Sequence, residues 1–472
     1  MSSKYGILLA VSSLPSNHGI GDFGDNAYRF ISFLKDYNYS YWQVLPLNPL
    51  GPGNSPYMST CSEAIEPLYI SLDYLVKDGY LKDVPNYRKS SSRVDYQKVK
   101  KFKYKYLYKA YLSFIKDNQY KLDNFIKDNK WVKRYALFTY LRVKNNLVSW
   151  PNWDENDKFY NEKKGFIKGK EKQCYFYVFL QYIAYKQYKK LYKFAKDNDI
   201  KIIADCPFYV GIDSTDCYFN KDLFMFDENY HPTLVSGCPP DDFSDDGQLW
   251  GTPIYNFKKM KEDDYSFLVN RLGYIASTCD YLRLDHFRAF DTYCVIPGDD
   301  KNARRGEWVN GPSYDFFTCL YRKYPSINLI AEDLGELFDS VHALRDYYYL
   351  PGMYVTQFTM FDEKEPKSDN KILYSGTHDN NTLKGWLHSL SKAELKIIKK
   401  KLHVKSHLLD ALFTYAWNMP SKLSIFPLQD ILGLSEKARM NTPGTLGSPN
   451  WEYKLKDFDF INHIKYGFKK EK

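Results

Sequence analysis

YLRLDHF, residues 281–287, is a short apolar stretch that stops abruptly in charge. Leu282 and Leu284 suit a buried strand, but Asp285 and His286 directly after them do not. A carboxylate that ends a buried run has a use there, because burying it unpaired costs heavily. Seven further stretches repeat the design, each an apolar, β-branched or aromatic run followed by Gly, Pro, Asp or Asn. They are GILLAVSS (6–13), YSYWQVLPLN (39–48), IKIIADCPFYV (200–210), NLIAEDLG (328–335), MYVTQF (353–358), ILYSGTHD (372–379) and SIFPLQDIL (424–432). Helix-like segments lie between many of them, such as NAYRFISFLKD, SFLVNRLGYIAST and SYDFFTCLYRKY. Eight alternations of strand and helix are what a closed parallel (β/α)8 barrel requires. A doubly wound sheet also alternates, so the pattern alone leaves both open.

One long stretch breaks this rhythm. Residues 81–200 hold 29 Lys and Arg against 12 Asp and Glu, while the rest of the 472-residue chain holds 37 against 45. The overall charge of +9 is therefore a property of this stretch alone. It contains two of the 25 glycines (Gly165, Gly169) and two of the 22 prolines (Pro85, Pro151). Segments such as KKFKYKYLYKAYLSFIKD have helix-like spacing. A helical inserted subdomain over 80–170 is expected, followed by a helix near 174–198 that belongs to the main domain. Lysine is a good helix former that solvates an exposed face, and no nucleic-acid recognition motif accompanies the charge. Without the insertion about 380 residues remain, above the ~250 typical of such barrels, so long βα loops are expected.

Composition excludes several classes. Hydrophobic residues at 44 % and charged residues at 26 % match an ordinary globular chain, not a disordered or coiled-coil one. No apolar run approaches the ~20 residues that span a bilayer. The N-terminal MSSKYGILLAVSSLPSNHGIG reads as a strand rather than a secretory leader, so a cytoplasmic location is expected. The eight cysteines are scattered, with no C-x-x-C pair, as buried reduced thiols would be. Sixteen of the 44 tyrosines fall in 81–200, mostly at helix-core spacing, and read as packing. Trp250 and Tyr57 sit instead in Gly/Pro-rich loops that cannot form a core alone.

Barrel enzymes work at the C-terminal ends of their strands. There the runs deliver Arg283, Asp285 and His286, then Glu332 and Asp333, then His378, Asp379, Asn380 and Asn381, with Asp205 near the end of the third run. Converging carboxylates with an arginine suit glycosidic-bond chemistry. One acid, with a raised pKa, protonates the departing oxygen. A second stays ionised to attack the anomeric carbon, and Arg283 two residues before Asp285 enforces this by charge. A third stabilises a positive, oxocarbenium-like transition state. Metal catalysis is the rival use of clustered acids, but no His pair at ligand spacing accompanies them.

These residues, with SSLPSNHGIGDFG (12–24), GPGNSPYMS (51–59), ADCPFYVGIDSTD (204–216), SGCPPDDFSDDGQLWGTPIY (236–255), LRLDHFRAF (282–290), AEDLGE (331–336), GTHDNNT (376–382) and NTPGTLGSPNWEYKL (441–455), make the chain resemble the 4-α-glucanotransferases. These are the amylomaltases or disproportionating enzymes, glycoside hydrolase family 77 of the α-amylase superfamily. The resemblance implies one catalytic (β/α)8 TIM barrel over 1–472, with inserted subdomains and no separate C-terminal β domain, and 236–255 as an active-site loop. It implies transfer of α-1,4-glucan segments from a donor maltodextrin to a glucan or glucose acceptor, with retention and no cofactor or metal. By the same resemblance Asp285 is the nucleophile, Glu332 the general acid/base and Asp379 the transition-state stabiliser. Arg283 would orient Asp285, His378 would bond sugar hydroxyls, and Ser55, Tyr57, Asp213, Gln248 and Trp250 would contact glucan. Ala289, Asn381 and Glu63-Ala64-Ile65-Glu66 depart from the usual pattern without touching the carboxylates. An α-1,4-glucan hydrolase of the same superfamily and a catalytically silent glucan-binding protein are the alternatives. No nucleic-acid or membrane partner is expected.

Overall fold

The computed structural model describes all residues except 1–3, 88–90, 241–244, 336, 363–369 and 469–472. Each of the eight apolar runs contains or overlaps one strand of a single sheet: β1 (Tyr5–Leu8), β2 (Tyr41–Gln43), β3 (Lys201–Cys206), β4 (Tyr281–Leu284), β5 (Leu329–Ala331), β6 (Gly352–Val355), β7 (Lys371–Tyr374) and β8 (Leu423–Pro427). Every ladder is parallel, and the order β6-β7-β8-β1-β2-β3-β4-β5 is that of a barrel cut open between β5 and β6. Across that seam the Ala331 N–H donates to the Pro351 carbonyl at 2.8 Å, so among the described residues the ring closes by a backbone bond rather than a ladder. Strands covered on both faces read as unbroken apolar runs rather than alternating ones. Inside the barrel Leu8, Ile203, Ile330, Met353, Ile372 and Ile425 form one buried cluster. The outward-facing residues join the larger core beneath the helices.

The helices follow their apolar periodicity. In α1 (Asp25–Asp36), Ala27, Phe30, Ile31 and Leu34 are buried at helical spacing, with Asp25 in the first turn and Lys35 in the last. Between β2 and β3 the basic stretch folds into α2 (Tyr96–Asp128) and α3 (Lys130–Lys144), then short turns, then α4 (Glu171–Asp197). The Asp95 carboxylate caps α2 by accepting the Lys98 N–H at 3.1 Å. Asn129, at φ −130°, separates α2 from α3. Of the sixteen tyrosines in 81–200 only Tyr108 and Tyr120 are exposed, which confirms their packing role.

A second, antiparallel sheet runs Gln248–Pro253, Leu234–Cys238, Thr292–Pro297 and Glu307–Asn310 in spatial order. The sequence pattern did not suggest it. Much of 236–255, expected as loop, is thus a two-stranded ribbon, with 241–244 outside the described residues. Among the described residues no helix is long and apolar enough to cross a membrane.

The basic stretch meets the barrel at one buried ion pair. Lys103 of α2 is fully buried, and its ammonium donates to Asp22 at 3.3 Å and to the Leu68 carbonyl at 2.7 Å. Breaking a buried pair leaves an uncompensated charge, which costs about 3 kcal/mol or more. Lys103→Met is therefore expected to lower the unfolding free energy by about 3 kcal/mol in a denaturant titration. Lys98→Ala, which removes an exposed partner of Asp95, should leave the curve unchanged.

Candidate active site

The parallel register of β3 and β4 sets Asp205 directly beside Arg283. The Arg283 guanidinium donates to both Asp205 oxygens at 2.7 and 2.9 Å and to Asp285 at 2.9 Å. Arg283 and Asp205 are buried, whereas the Asp285 side chain keeps 27 % of its surface open to the cleft. One buried cation thus aims a carboxylate outward at the end of the strand.

Tyr57 joins from the 51–59 loop. Its hydroxyl donates to Asp205 at 2.7 Å and lies 3.3 Å from His378 Nδ1. The Tyr57 and His378 rings stack at 4.8 Å, with Trp451 against both. Ser55 supports this placement by accepting the Tyr57 N–H at 3.2 Å. Gly51 lets the loop fold back on itself, since a Cβ there would stand 1.9 Å from the Met58 carbonyl oxygen.

Asp379 follows β7. Its carboxylate lies 3.4 Å from His378 Nε2 and accepts the Asn441 side-chain amide at 2.7 Å. Arg439 donates to the Asp379 carbonyl at 2.6 Å, so the chain after β8 holds the Asp379 backbone as well. With 44 % of its side-chain surface exposed, Asp379 faces the cleft.

Glu332 follows β5 and is tied to the end of β4. Its carboxylate accepts the His286 N–H at 2.8 Å. Its own N–H donates to the Leu284 carbonyl, and its carbonyl accepts the Phe287 N–H, both at 3.1 Å. His286 takes the left-handed conformation, φ 51°, which turns its N–H toward Glu332. Its ring meets Trp250 edge-on at 4.9 Å. Burial and Arg288 push the imidazole down to about 4, so it is neutral at ordinary pH.

Burial sets the two central carboxyls. It pushes Asp285 up to about 6, against the pull of the Arg283 guanidinium. It raises Glu332 well above the ordinary carboxylate range, again opposed by Arg283 and reinforced by Asp285. Asp285 holds the guanidinium directly, while Glu332 holds only a backbone N–H. In this coupled pair Asp285 is the group that ionises first. Two carboxyls of unequal proton affinity at the ends of neighbouring strands, with the exposed Asp379 carboxylate on the same rim, form a set for acid-assisted displacement at an acetal carbon.

Residues 9–460 match the family described as 4-alpha-glucanotransferase. The chain belongs to this family. Similar curated members include the 4-alpha-glucanotransferase of Streptococcus pneumoniae, 35 % identical with 98 % of this chain and 95 % of the relative covered. That of Clostridium butyricum is 36 % identical, with 96 % of each covered. Among solved structures, the amylomaltase of Streptococcus agalactiae in complex with acarbose superposes with a TM-score of 0.92 at 30 % identity, covering 97 % of this chain and 96 % of that one. The barrel with inserted segments expected from sequence is the fold of this glucanotransferase family.

Of the site residues expected from sequence, Tyr57 and Arg283 meet on Asp205, Arg283 also holds Asp285, Tyr57 touches His378, which lies against Asp379, and Glu332 joins through the backbone of His286. Gln248 and Trp250 form a second wall: the indole N–H bonds the Gln248 side chain at 3.3 Å, and the ring reaches His286. Ser55 contributes as the cap beneath Tyr57. Asp213 is engaged elsewhere, accepting the Ser149 hydroxyl at 2.7 Å and the Trp150 N–H at 3.1 Å, and so anchors the end of the basic insertion. Asp205 was visible as the end of the third run, but nothing in sequence paired it with Arg283. Asn441, Arg439 and Trp451 lie in a Gly/Pro-rich stretch whose return to Asp379 depends on the closed barrel. Among the departures, the Glu66 carboxylate accepts the Leu50 and Leu68 N–H groups, and the Asn381 backbone carbonyl accepts the Gln357 amide.

Proposed function

We propose that this chain is a 4-α-glucanotransferase that moves α-1,4-glucan segments from a maltodextrin donor to the 4-hydroxyl of a glucan or glucose acceptor by double displacement. The observation that carries the reading is the Asp285–Arg283–Asp205 bridge with Glu332 tethered to the amide of His286, the residue after Asp285. Asp285 attacks the anomeric carbon while Glu332 protonates the leaving oxygen. A covalent glucosyl-enzyme forms and the reducing-end fragment departs. Glu332, now ionised, takes the proton of the incoming 4-hydroxyl, and the bond is remade with retention. Asp379 faces the positive charge that develops on the ring, and His378 and Tyr57 line the same side. A carboxyl separation of about 5–5.5 Å between Asp285 and Glu332 accompanies this stereochemistry. The reaction so written needs neither metal nor organic cofactor. In this reading 1–472 act as one catalytic barrel, with 80–170 as an inserted helical subdomain and 236–255 as an active-site segment. The substrates are of the starch, glycogen or maltodextrin class, and in this reading the protein is cytoplasmic.

Transfer exceeds hydrolysis when water is kept from the intermediate. Trp250 and the neutral His286 ring form an apolar wall beside Glu332, where the acceptor must arrive.

Incubation with maltotriose tests the activity. Wild type is expected to give glucose plus a ladder of longer maltodextrins, and Glu332→Gln neither. Shorter sugars alone would make the protein a hydrolase. Trp250→Ala is expected to raise the ratio of hydrolysis to transfer at least threefold, read as total reducing ends against chain lengthening. An unchanged ratio removes that wall from the account.

The pH profile of kcat/KM tests the acid/base assignment. Asp285 must be ionised, so the rate falls as pH drops through about 6. Glu332 must be protonated, so the rate also falls as pH rises past its elevated pKa. Arg283→Met removes the cation that favours the Asp285 carboxylate, and the acid limb is expected to move to higher pH. A stationary or downward-moving acid limb would contradict the assignment.

A further inference from the structure

The barrel seam lies beside Glu332, and a side chain closes it. Between β5 and β6 there is no strand ladder among the described residues; the Ala331–Pro351 bond is joined instead by the carboxylate of Asp333. One Asp333 oxygen accepts the Met353 N–H of β6 at 2.6 Å. The other accepts from Lys371 of β7 and from Arg345 of the helix Asp339–Tyr347. The Asp333 side chain is fully buried, and those of Lys371 and Arg345 are each 11 % exposed. Gly352 is required opposite, because a Cβ there would stand 2.3 Å from the Asp333 carboxylate and 2.5 Å from the Lys371 ammonium. So one carboxylate joins two strands and a helix where the hydrogen-bond ladder is missing.

Glu332 is the residue between the two tethers. Ala331 before it and Asp333 after it are both bonded across the seam toward β6. Its own N–H and carbonyl are bonded the other way, to Leu284 and Phe287. We propose that Asp333, with its partners Lys371 and Arg345, is a positioning residue for the transfer reaction, which holds the Glu332 backbone at the open edge of the barrel and sets the charge behind its carboxyl. The proposal rests on the reading of Glu332 as the acid/base. The charged and titratable groups around Glu332 are Arg283 and Asp285 at the end of β4, His286 in the following turn, and Asp333. Behind Asp333 stand Lys371 and Arg345, the latter also touching His342 and Asp346. Buried groups this close act on one another through a weakly screening interior.

The experiment compares Asp333→Asn with Lys371→Met in maltotriose disproportionation. Asp333→Asn keeps an oxygen for the Met353 N–H and removes the negative charge. It is expected to lower kcat at least tenfold with KM within about twofold of wild type, since Tyr57, His378 and Trp250 are untouched. It is also expected to move the alkaline limb of kcat/KM to lower pH, because Glu332 then ionises more readily. Lys371→Met leaves Asp333 paired with Arg345 and makes the surroundings of Glu332 more negative, so its alkaline limb is expected to move to higher pH. A purely structural role would lower the melting temperature of both variants and leave both limbs in place, which overturns the proposal. If Asp333→Asn does not fold, the upward shift in Lys371→Met alone decides. Glu332→Gln runs alongside: residual transfer in it sinks the assignment of Glu332, whereas a dead Glu332→Gln with unmoved limbs sinks only the positioning role.

Discussion

The guanidinium of Arg283 is the interaction on which the catalytic end of the barrel depends. It is a buried cation with one carboxylate partner on the neighbouring strand β3 and the other just past the end of its own strand β4, and a buried charge of either sign is tolerable only when so compensated. Asp205 alone would neutralise it. Asp285 is the second, surplus carboxylate, held by the same nitrogen yet still partly open to the cleft. That surplus makes the bridge more than a structural pair: the cation keeps Asp285 available as an anion in surroundings that otherwise favour its neutral form. Tyr57 extends the arrangement by bonding Asp205, which brings the 51–59 loop and the His378 ring onto the same support.

A parallel barrel suits this arrangement for a geometric reason. All eight strands end on the same rim, so residues far apart in sequence arrive side by side there without any local motif bringing them together. The short links then come from the turns. The left-handed turn at His286 carries its amide back to Glu332, and the chain after β8 returns to hold Asp379 through Asn441 and Arg439. The two carboxyls are thus fixed from opposite directions, Asp285 by charge and Glu332 by a backbone donor. Different partners in a common low-dielectric setting are what separate the proton affinities of two neighbouring carboxyls.

Much of this was legible before any coordinates, for physical reasons. Strands buried on both faces read as unbroken apolar runs, so the eight strands stood out without alternation. Charge that follows such a run abruptly has to be explained, and Asp285, Glu332 and Asp379 were found on that ground. The antiparallel sheet was not legible, because LVSGC and QLWGTP are short, polar in part and paired only through contacts distant in sequence. Asp213 was expected to contact glucan on the resemblance alone, and one of its carboxylate oxygens accepts from Ser149 and Trp150 of the insertion. That use depends on where α3 ends in space, which no local pattern records. Asn441 and Arg439 were hidden in the same way, since a Gly/Pro-rich segment says only that the chain turns.

The basic insertion gains its meaning from the same comparison. Its lysines are those expected to solvate an exposed helix face; Lys103, the most deeply buried of them, is instead spent on Asp22 in the loop after the first strand, and the tyrosines between the lysines pack α2 against α4. Asp213 then ties the far end of the insertion to the segment following β3. The Lys103 and Asp213 contacts thus both tie the insertion to loops that leave the C-terminal ends of barrel strands, and Tyr96 adds a bond to the Trp451 carbonyl. The charge excess on the outer face of these long helices keeps them solvated, while the aromatic inner faces of α2 and α4 pack on each other.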